Sequence, residues 1–157
     1  INCRSDNRNR TAADIRSFFN KHNCSMAGSG AVSWKFHRKA RFVIEGENAD
    51  EEKLFELLLG GGADVEDISV DDDYAEILAP PEAFGSILGI FEQAGIEVSE
   101  SSIALIPENN TLIEDINVAR QVTKFIDVLE DYDDAQEVYT DMEISDEIAQ
   151  QLADEED

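Results

Sequence analysis

The chain has 157 residues, of which 42% are hydrophobic, and a formal net charge of −24. This length and apolar content fit one ordinary domain or two small ones with a buried core, and they argue against an intrinsically disordered chain. The negative charge argues against nucleic-acid binding over a broad surface, because phosphate binding depends on cationic side chains. No apolar run approaches the ~20 residues of a membrane span. We therefore expect a cytoplasmic protein.

The charge is unevenly distributed along the chain. Residues 1–41 hold nine basic and two acidic residues, a net charge of +7, whereas residues 42–157 hold three basic and 34 acidic residues, a net charge of −31. This asymmetry permits one basic face on an otherwise acidic protein. The same basic residues could equally pair with the chain's own carboxylates, and the sequence leaves both alternatives open.

The first 39 residues predict a βαβ unit. Residues 1–4 resemble the end of a strand, and Thr11 is the expected N-cap of a helix over about 12–22, in which apolar side chains recur every three to four residues. A second strand with one buried face is predicted from three apolar residues that alternate with polar ones: Val32, Trp34 and Phe36.

Residues 40–102 predict the ferredoxin-like order βαββαβ. The expected elements are a strand at 41–45, a helix at 50–59, strands at 65–70 and 74–78, a helix that Pro80 and Pro81 open and Gly95 closes, and a strand from 97 to 106. The acidic run at Asp71–Asp73 is expected to form the turn between two of these strands. It does not match an EF-hand calcium loop, because the glycine that such a loop needs is missing.

The C-terminal segment completes a second α/β plait. We expect Ile103–Ile106 to lie beside the first unit, followed by a helix at 114–131, a strand at 136–140 and a short helix that Ser145 caps. The predicted fold class is therefore α+β, with two ferredoxin-like (α/β plait) domains, one inserted into the other. The predicted domains are residues 1–39 with 103–157, and the inserted residues 40–102.

Several stretches resemble the YebC/PmpR family, which includes the mitochondrial translational activator of cytochrome c oxidase. They are Asp6-Asn7-Arg8-Asn9-Arg10-Thr11 before a helix, Lys21-His22, Gly30-Ala31-Val32-Ser33-Trp34-Lys35-Phe36, Ile106-Pro107, Leu129-Glu130-Asp131 with Asp133-Asp134-Ala135-Gln136-Glu137-Val138-Tyr139, and Glu143-Ile144-Ser145-Asp146-Glu147-Ile148. The resemblance covers nearly the whole chain. It implies a basic N-terminal helical bundle followed by two ferredoxin-like domains, and we expect the bundle to be missing here because the chain opens on Ile1 in the middle of a strand.

The resemblance also implies a function in gene expression. Members of the family are described as DNA-binding transcriptional regulators or as ribosome-associated activators of translation. The resemblance also implies a location in the mitochondrial matrix if the source is a eukaryote. We expect a nucleic-acid-associated regulator, with transcription as the first hypothesis and ribosome-associated translational activation as the alternative. DNA, rRNA or mRNA would be bound mainly by the missing bundle. A third hypothesis is a protein-interaction scaffold that uses its acidic surface.

A basic set of residues forms the candidate nucleic-acid contact. Arg8 and Arg10 lie at the start of a predicted helix, where free backbone N–H groups favour phosphate. Further basic and amide side chains could extend the contact, which would position the nucleic acid without reading its sequence. The candidate residues are Arg4, Asn7, Arg8, Asn9, Arg10, Lys21, Lys35, Arg38, Lys39 and Arg41.

An acidic set forms the candidate partner contact. Glu130, Asp131, Asp133 and Asp134 cluster at a predicted helix C-terminus, where the helix dipole disfavours negative charge. A protein partner, a basic neighbouring domain or a cation would compensate for this charge. A solvated acidic corner is the plainer alternative.

Other chemistry is not indicated. His22, His37 and Cys24 lack the spacing of a zinc site, no glycine-rich loop has P-loop form, and no nucleophile motif is present. We expect no enzyme activity, metal, cofactor, small-molecule substrate or membrane association. Trp34 and Phe36 could serve as base-stacking aromatics on an RNA-binding sheet, but their alternation favours a buried face.

Overall fold

The computed structural model describes residues 1–156, with side chains through residue 155, as eight strands and five helices. The strands are β1 (Asn2–Cys3), β2 (Phe36–Glu45), β3 (Asp67–Asp71), β4 (Tyr74–Ala79), β5 (Glu100–Pro107), β6 (Thr111–Ile113), β7 (Ala135–Glu137) and β8 (Met142–Ile144). The helices are α1 (Arg8–Lys21), α2 (Glu51–Gly60), α3 (Phe84–Ala94), α4 (Ile116–Glu130) and α5 (Asp146–Glu156). Short 3-10 turns precede β2, α2 and α3.

The chain divides into two compact units. Unit 1 contains residues 1–35 and the described residues from Pro107 onward, and unit 2 contains residues 36–106 between these two segments. The predicted α+β class with two ferredoxin-like units, one inserted into the other, is confirmed. The predicted domain boundaries after residues 39 and 102 stay a prediction.

Unit 2 has the strand order of a ferredoxin-like sheet. Its four strands lie in the order β3-β4-β2-β5, so the first and third strands of the unit are central. β2 and β4 are antiparallel, with Ala40 opposite Ala79 and Glu45 opposite Tyr74. β3 and β4 join through a tight turn in which Asp72 adopts a φ of +49°, a conformation that Asp tolerates better than most residues.

The core of unit 2 lies between one face of this sheet and two helices. Phe42 on β2 is fully buried, with its ring 5.4 Å from Phe84 and 6.1 Å from Phe91, both on α3. The other large and fully buried side chains of this cluster are Ile44, Leu54, Leu58, Ile77 and Ile87. Because the leucines recur at i and i+4 on α2, one stripe of that helix faces the sheet.

Unit 1 contains two strand pairs and a helix pair. β1 pairs with β7 in antiparallel orientation, and β6 pairs with β8 in parallel orientation. Helices α1 and α4 meet through aromatic rings, with Phe19 4.8 Å from Phe125 in an edge-to-face arrangement. Phe18 makes a similar contact with Tyr132, at 5.3 Å. Such pairs stabilise a packing interface beyond the apolar area that they bury.

The expected strand at residues 32–36 is wrong. Successive backbone hydrogen bonds, Ala31 N to Gly28 O, Ser33 N to Gly30 O and Lys35 N to Val32 O, wind this segment into tight turns. A 3-10 turn therefore spans Ser33–Lys35, and the strand begins only at Phe36. Trp34 is 68% exposed and Val32 is 55% exposed, so the expected buried face does not exist.

Three further expectations are corrected in unit 1 and at its boundary. Helix α1 begins four residues earlier than expected, because Asn7 rather than Thr11 is its N-cap. Ile103–Ile106 belongs to β5, which pairs with β2 of unit 2 instead of the first βαβ unit. The expected strand at 136–140 is the shorter β7, whereas β6 and β8 were not predicted.

Candidate nucleic-acid interface

The N-terminus of α1 has an Asn cap and a cationic first turn. The backbone of Asn7 is extended, and its side-chain oxygen accepts a hydrogen bond from the backbone N–H of Arg10 at 3.1 Å, which starts the helix. The first turn contains Arg8 and Arg10 and no acidic residue. Cations are unfavourable at the positive end of a helix dipole, so this end of α1 favours an anion.

A shallow pocket of about 370 Å³ lies beside this helix end. Its lining residues are Cys3, Arg4, Ser5, Arg8, Thr11, Ala12 and Ile15. The lining thus contains two guanidinium groups and two hydroxyl groups but no carboxylate. The side chains of Arg4 and Arg8 are exposed and have no ion-pair partner among the described residues.

Asp134 organises the contact between α1 and the loop after α4. Its Oδ2 accepts hydrogen bonds from the hydroxyl of Thr11 at 2.6 Å, from Nη2 of Arg10 at 3.1 Å and from the Tyr132 hydroxyl at 3.0 Å. Arg10 also pairs with Asp6 at 2.9 Å. The Asp134 side chain is only 16% exposed, so these donors replace most of its water.

The same contacts shift two pKa values. The hydrogen bond from Thr11, followed by that from Arg10, lowers the pKa of Asp134 to about 2. Burial, followed by hydrogen bonds to Asp14 and Asp134, raises the pKa of Tyr132 to about 12. At neutral pH Asp134 is therefore ionised and Tyr132 is protonated.

Two predicted sites meet in this cluster. Arg10 belongs to the basic candidate set and Asp134 to the acidic one, yet they pair with each other. The remaining acidic candidates, Glu130, Asp131 and Asp133, are exposed. The cluster therefore holds unit 1 together, and the roles of both sets in binding stay predictions.

Three other basic candidates are also paired. Lys35 contacts Asp141 at 2.6 Å, and Lys39 contacts Glu66 at 2.9 Å. The guanidinium of Arg41 donates to Glu76 at 2.7 Å, to Glu100 at 3.0 Å and to the Tyr74 hydroxyl at 2.9 Å. Self-pairing thus accounts for part of the basic segment. The candidates whose side chains remain exposed and free of a described partner are Arg4, Arg8, Asn9, Lys21 and Arg38.

Sequence reasoning missed two polar residues that organise unit 1. Thr11, 7% exposed, was expected to cap the helix but instead donates to Asp134. Asp141 was not singled out, although it accepts hydrogen bonds from both Lys35 and Thr111. These partners lie far away along the chain, and no local pattern identifies such contacts.

Two other kinds of site are not found in the described part of the chain. Within residues 1–156 no group of three His, Cys, Asp or Glu residues is arranged to hold a metal ion. His22 instead places its Nδ1 2.8 Å from the carbonyl oxygen of Phe18 at the end of α1. No helix over the same residues has the length and apolar character needed to cross a bilayer.

Comparison with known proteins decides the family. A family model described as the second and third domain of TACO1/YebC matches residues 1–142. The chain belongs to the TACO1/YebC family. A "probable transcriptional regulatory protein" of Halothermothrix orenii is 39% identical over 153 residues, which cover 96% of this chain and 60% of that protein. A protein of the same description from Syntrophomonas wolfei is 40% identical over 146 residues, 92% of this chain and 57% of that protein.

A solved structure has a fold similar to that of this TACO1/YebC chain. The crystal structure of a conserved hypothetical protein from Aquifex aeolicus matches with a TM-score of 0.78 and 31% identity. The match covers 92% of this chain and 58% of the other. This chain therefore spans about three fifths of the length of these TACO1/YebC relatives.

Proposed function

We propose that this chain is part of a nucleic-acid-associated regulator of gene expression. Relatives described as probable transcriptional regulatory proteins support a regulatory role, and none of these descriptions names an enzyme. DNA-bound regulation of transcription is the first form of this proposal. Association with the ribosome is the alternative, in which the same basic surface contacts RNA.

The observation that carries the proposal is the carboxylate-free pocket beside the N-terminus of α1. Arg4 and Arg8 contribute unpaired guanidinium groups there, and Ser5 contributes a hydroxyl group. Guanidinium groups bind phosphate through paired N–H donors, and the helix N-terminus adds a favourable dipole. A phosphate of the nucleic-acid backbone is therefore the ligand that this surface fits best. Contacts of this kind fix position, not base sequence.

Arg10 has a different role in this proposal. Because Asp6 and Asp134 both pair with its guanidinium, Arg10 orients the helix and stabilises unit 1. We therefore place Arg4 and Arg8 first among the basic candidates, with Asn9 as an exposed neighbour on α1.

The test is the salt dependence of binding to labelled DNA and RNA. We expect the double variant Arg4→Glu/Arg8→Glu to bind more weakly. The negative slope of log K against log salt should become shallower by ~0.7–0.9 for each lost phosphate contact. The double variant Lys53→Glu/Lys124→Glu is the matched control, because it makes the same change in net charge at two exposed cationic residues outside the pocket.

The two variants separate a local contact from a general charge effect. If both weaken binding equally, the pocket is not the contact and the proposal fails. If the wild-type chain binds neither DNA nor RNA at low salt, the proposed nucleic-acid contact of this part of the protein also fails. Co-sedimentation with ribosomes distinguishes the translational alternative from the transcriptional one.

A further inference from the structure

Trp34 is the single tryptophan of the chain, and its side chain is 68% exposed. Two other large apolar side chains of the same segment are also exposed, Met26 at 44% and Val32 at 55%. Tryptophan is rarely left in water in a folded protein, since its large apolar surface is stabilised by burial. An exposed tryptophan with exposed apolar neighbours therefore indicates a contact surface.

The backbone around Trp34 is well defined. The successive turns between Gly28 and Lys35 hold this segment, and Gly30 allows the first of them through its φ of +79°. Lys35, which follows Trp34, is held at two points. Its backbone oxygen accepts a hydrogen bond from the backbone N–H of Glu108 at 2.7 Å, and its side-chain ammonium group pairs with Asp141 at 2.6 Å. The indole is thus exposed on an anchored turn, which lowers the entropic cost of binding a ligand.

The charge around this residue in the sequence selects the ligand. No acidic residue occurs from Ile15 through Ile44, although the chain has 36 acidic residues. Trp34 lies within this acid-free segment, and the exposed Lys21 lies in the same segment and the same unit. In space the surroundings are not free of acids, because Asp141 neutralises Lys35 next to Trp34, but Arg16 and Lys21 of unit 1 are exposed without an ion-pair partner among the described residues. A tryptophan with such cations in the same unit suits a polyanion that carries flat rings.

We propose that Trp34 is a stacking platform for an unpaired base of a single-stranded nucleic acid. This inference rests on the proposed function and adds the form of its ligand. Bases of single strands expose their ring faces, whereas those of a duplex stack on one another. The exposed Arg16 and Lys21 would hold the backbone and the indole would hold the base, with little dependence on base identity.

Other occupants fit this surface less well. A second copy of the chain docked through the same turn would bring its own exposed Arg16 and Lys21 against those of the first copy, so like charges oppose this contact. An acidic protein segment would satisfy the charge, but it would not explain a planar aromatic group on a rigid turn.

Fluorescence provides a direct test, because Trp34 is the sole source of tryptophan emission. The 157-residue chain is titrated at low salt with oligouridine and oligothymidine of about 12 nucleotides, within the site sizes common for such binding. An abasic strand and a duplex of equal length serve as controls. We expect quenching by the single strands and little change with the abasic strand or the duplex. A stronger effect of oligouridine or of oligothymidine indicates RNA or DNA as the preferred source of the base.

Substitutions test whether stacking contributes to affinity, measured by anisotropy of the labelled strand. Trp34→Ala is expected to weaken single-strand binding by about 5- to 140-fold, which corresponds to ~1–3 kcal/mol of base stacking. Trp34→Phe should retain much of the affinity, and the salt slope should stay unchanged in both variants because the phosphate contacts remain. Phe55→Ala, at an aromatic residue that is 55% exposed on acidic helix α2, should bind like the wild type.

The outcomes separate this inference from the proposed function. If Arg4→Glu/Arg8→Glu weakens binding while Trp34→Ala does not, the phosphate contact stands and the stacking platform is overturned. Equal quenching by the abasic strand or the duplex also overturns it. If the wild-type chain binds none of the strands, the proposed function and the inference fall together.

Discussion

The hydroxyl group of Thr11 lies 2.6 Å from Oδ2 of Asp134, across 123 positions of the sequence. Thr11 is in α1 and Asp134 follows α4, so this hydrogen bond ties the first helix of unit 1 to its C-terminal segment. The backbone N–H of Arg4 donates to the carbonyl oxygen of Asp134 at 2.8 Å and strengthens the same connection. The proposed phosphate surface therefore lies beside a polar cluster that fixes α1.

Replacing Thr11 by Val tests this connection with little change in shape. The substitution removes the donor to a mostly buried carboxylate, so we expect unfolding free energy to fall by ~1–3 kcal/mol. Thr11→Ser keeps the hydroxyl group and should be closer to the wild type. Urea denaturation followed by circular dichroism measures both, and an unchanged stability of Thr11→Val would show that the hydroxyl contact with Asp134 does not stabilise unit 1.

Acidification should weaken the same cluster. The pKa of Asp134 is about 2 in the folded state, below the ~3.9 of an unfolded Asp. Its contribution to stability is therefore complete above about pH 4 and is lost as pH falls through about 2. The pKa values of Asp141 and Glu137 are also lowered, chiefly by hydrogen bonds from Lys35 and Asn2 respectively, so they act in the same direction.

The variant Asp134→Asn isolates this contribution from that of the other carboxylates. We expect the wild type to be more stable than the variant at neutral pH and the difference to shrink as the pH falls through the window from about 4 to about 2. Thermal melts of both proteins across this range provide the measurement. A difference that stays constant with pH would mean that the ionised form of Asp134 is not the stabilising one.

Local patterns in the sequence were sufficient for most of unit 2. Gly95 ends α3 with a φ of +70°, as the sequence predicted. The helix expected from residue 50 begins one residue later, because Asp50 caps α2 through its side chain. Apolar spacing on α2 and α3 also located the core, because these helices bury one stripe each. Here short-range signals and tertiary packing agree.

Unit 1 depends more on distant contacts, and there the local patterns failed. The alternation of Val32, Trp34 and Phe36 has the period of a strand, but Gly28 and Gly30 favour tight turns that leave Trp34 exposed. Thr11 is of a residue type that commonly caps helices, yet its hydroxyl group donates a hydrogen bond to Asp134 and Asn7 caps the helix instead. The pairing of Arg10 could not be read from the sequence, because the acidic residues outnumber their possible partners.

Arg8 and Arg10 should respond differently to substitution, although they are two residues apart. Arg10→Ala removes the pair with Asp134 and should lower the melting temperature, with a secondary effect on binding. Arg8→Ala removes an exposed, unpaired guanidinium and should weaken nucleic-acid binding while leaving the melting temperature within error. Melting curves and anisotropy titrations of the two variants test this division. The opposite result would move the binding contact to Arg10.

Unit 2 should fold on its own. Its sheet has four strands, and its core is formed by β2, β4, α2 and α3 within residues 36–106. We expect this segment to show a cooperative thermal transition and dispersed amide resonances. Phe42→Ala leaves a cavity at the centre of that core and should lower the unfolding free energy by about 3–5 kcal/mol, a large part of the total expected for a domain of this size. A non-cooperative transition of the unsubstituted segment would contradict the proposed independence of unit 2.

A glycine inside α3 and the glycine that ends this helix should give opposite results when replaced by alanine. Neither Gly89 nor Gly95 has another atom within 4 Å of an added Cβ, so only the backbone distinguishes them. Gly89 lies inside the helix, where alanine should increase the unfolding free energy by about 0.5–1 kcal/mol. Gly95 adopts a φ of +70° at the helix end, where alanine should lower it by ~1–2 kcal/mol. Chemical denaturation of the two variants measures the difference. Destabilisation by Gly89→Ala would contradict the open space that the structure shows around this position.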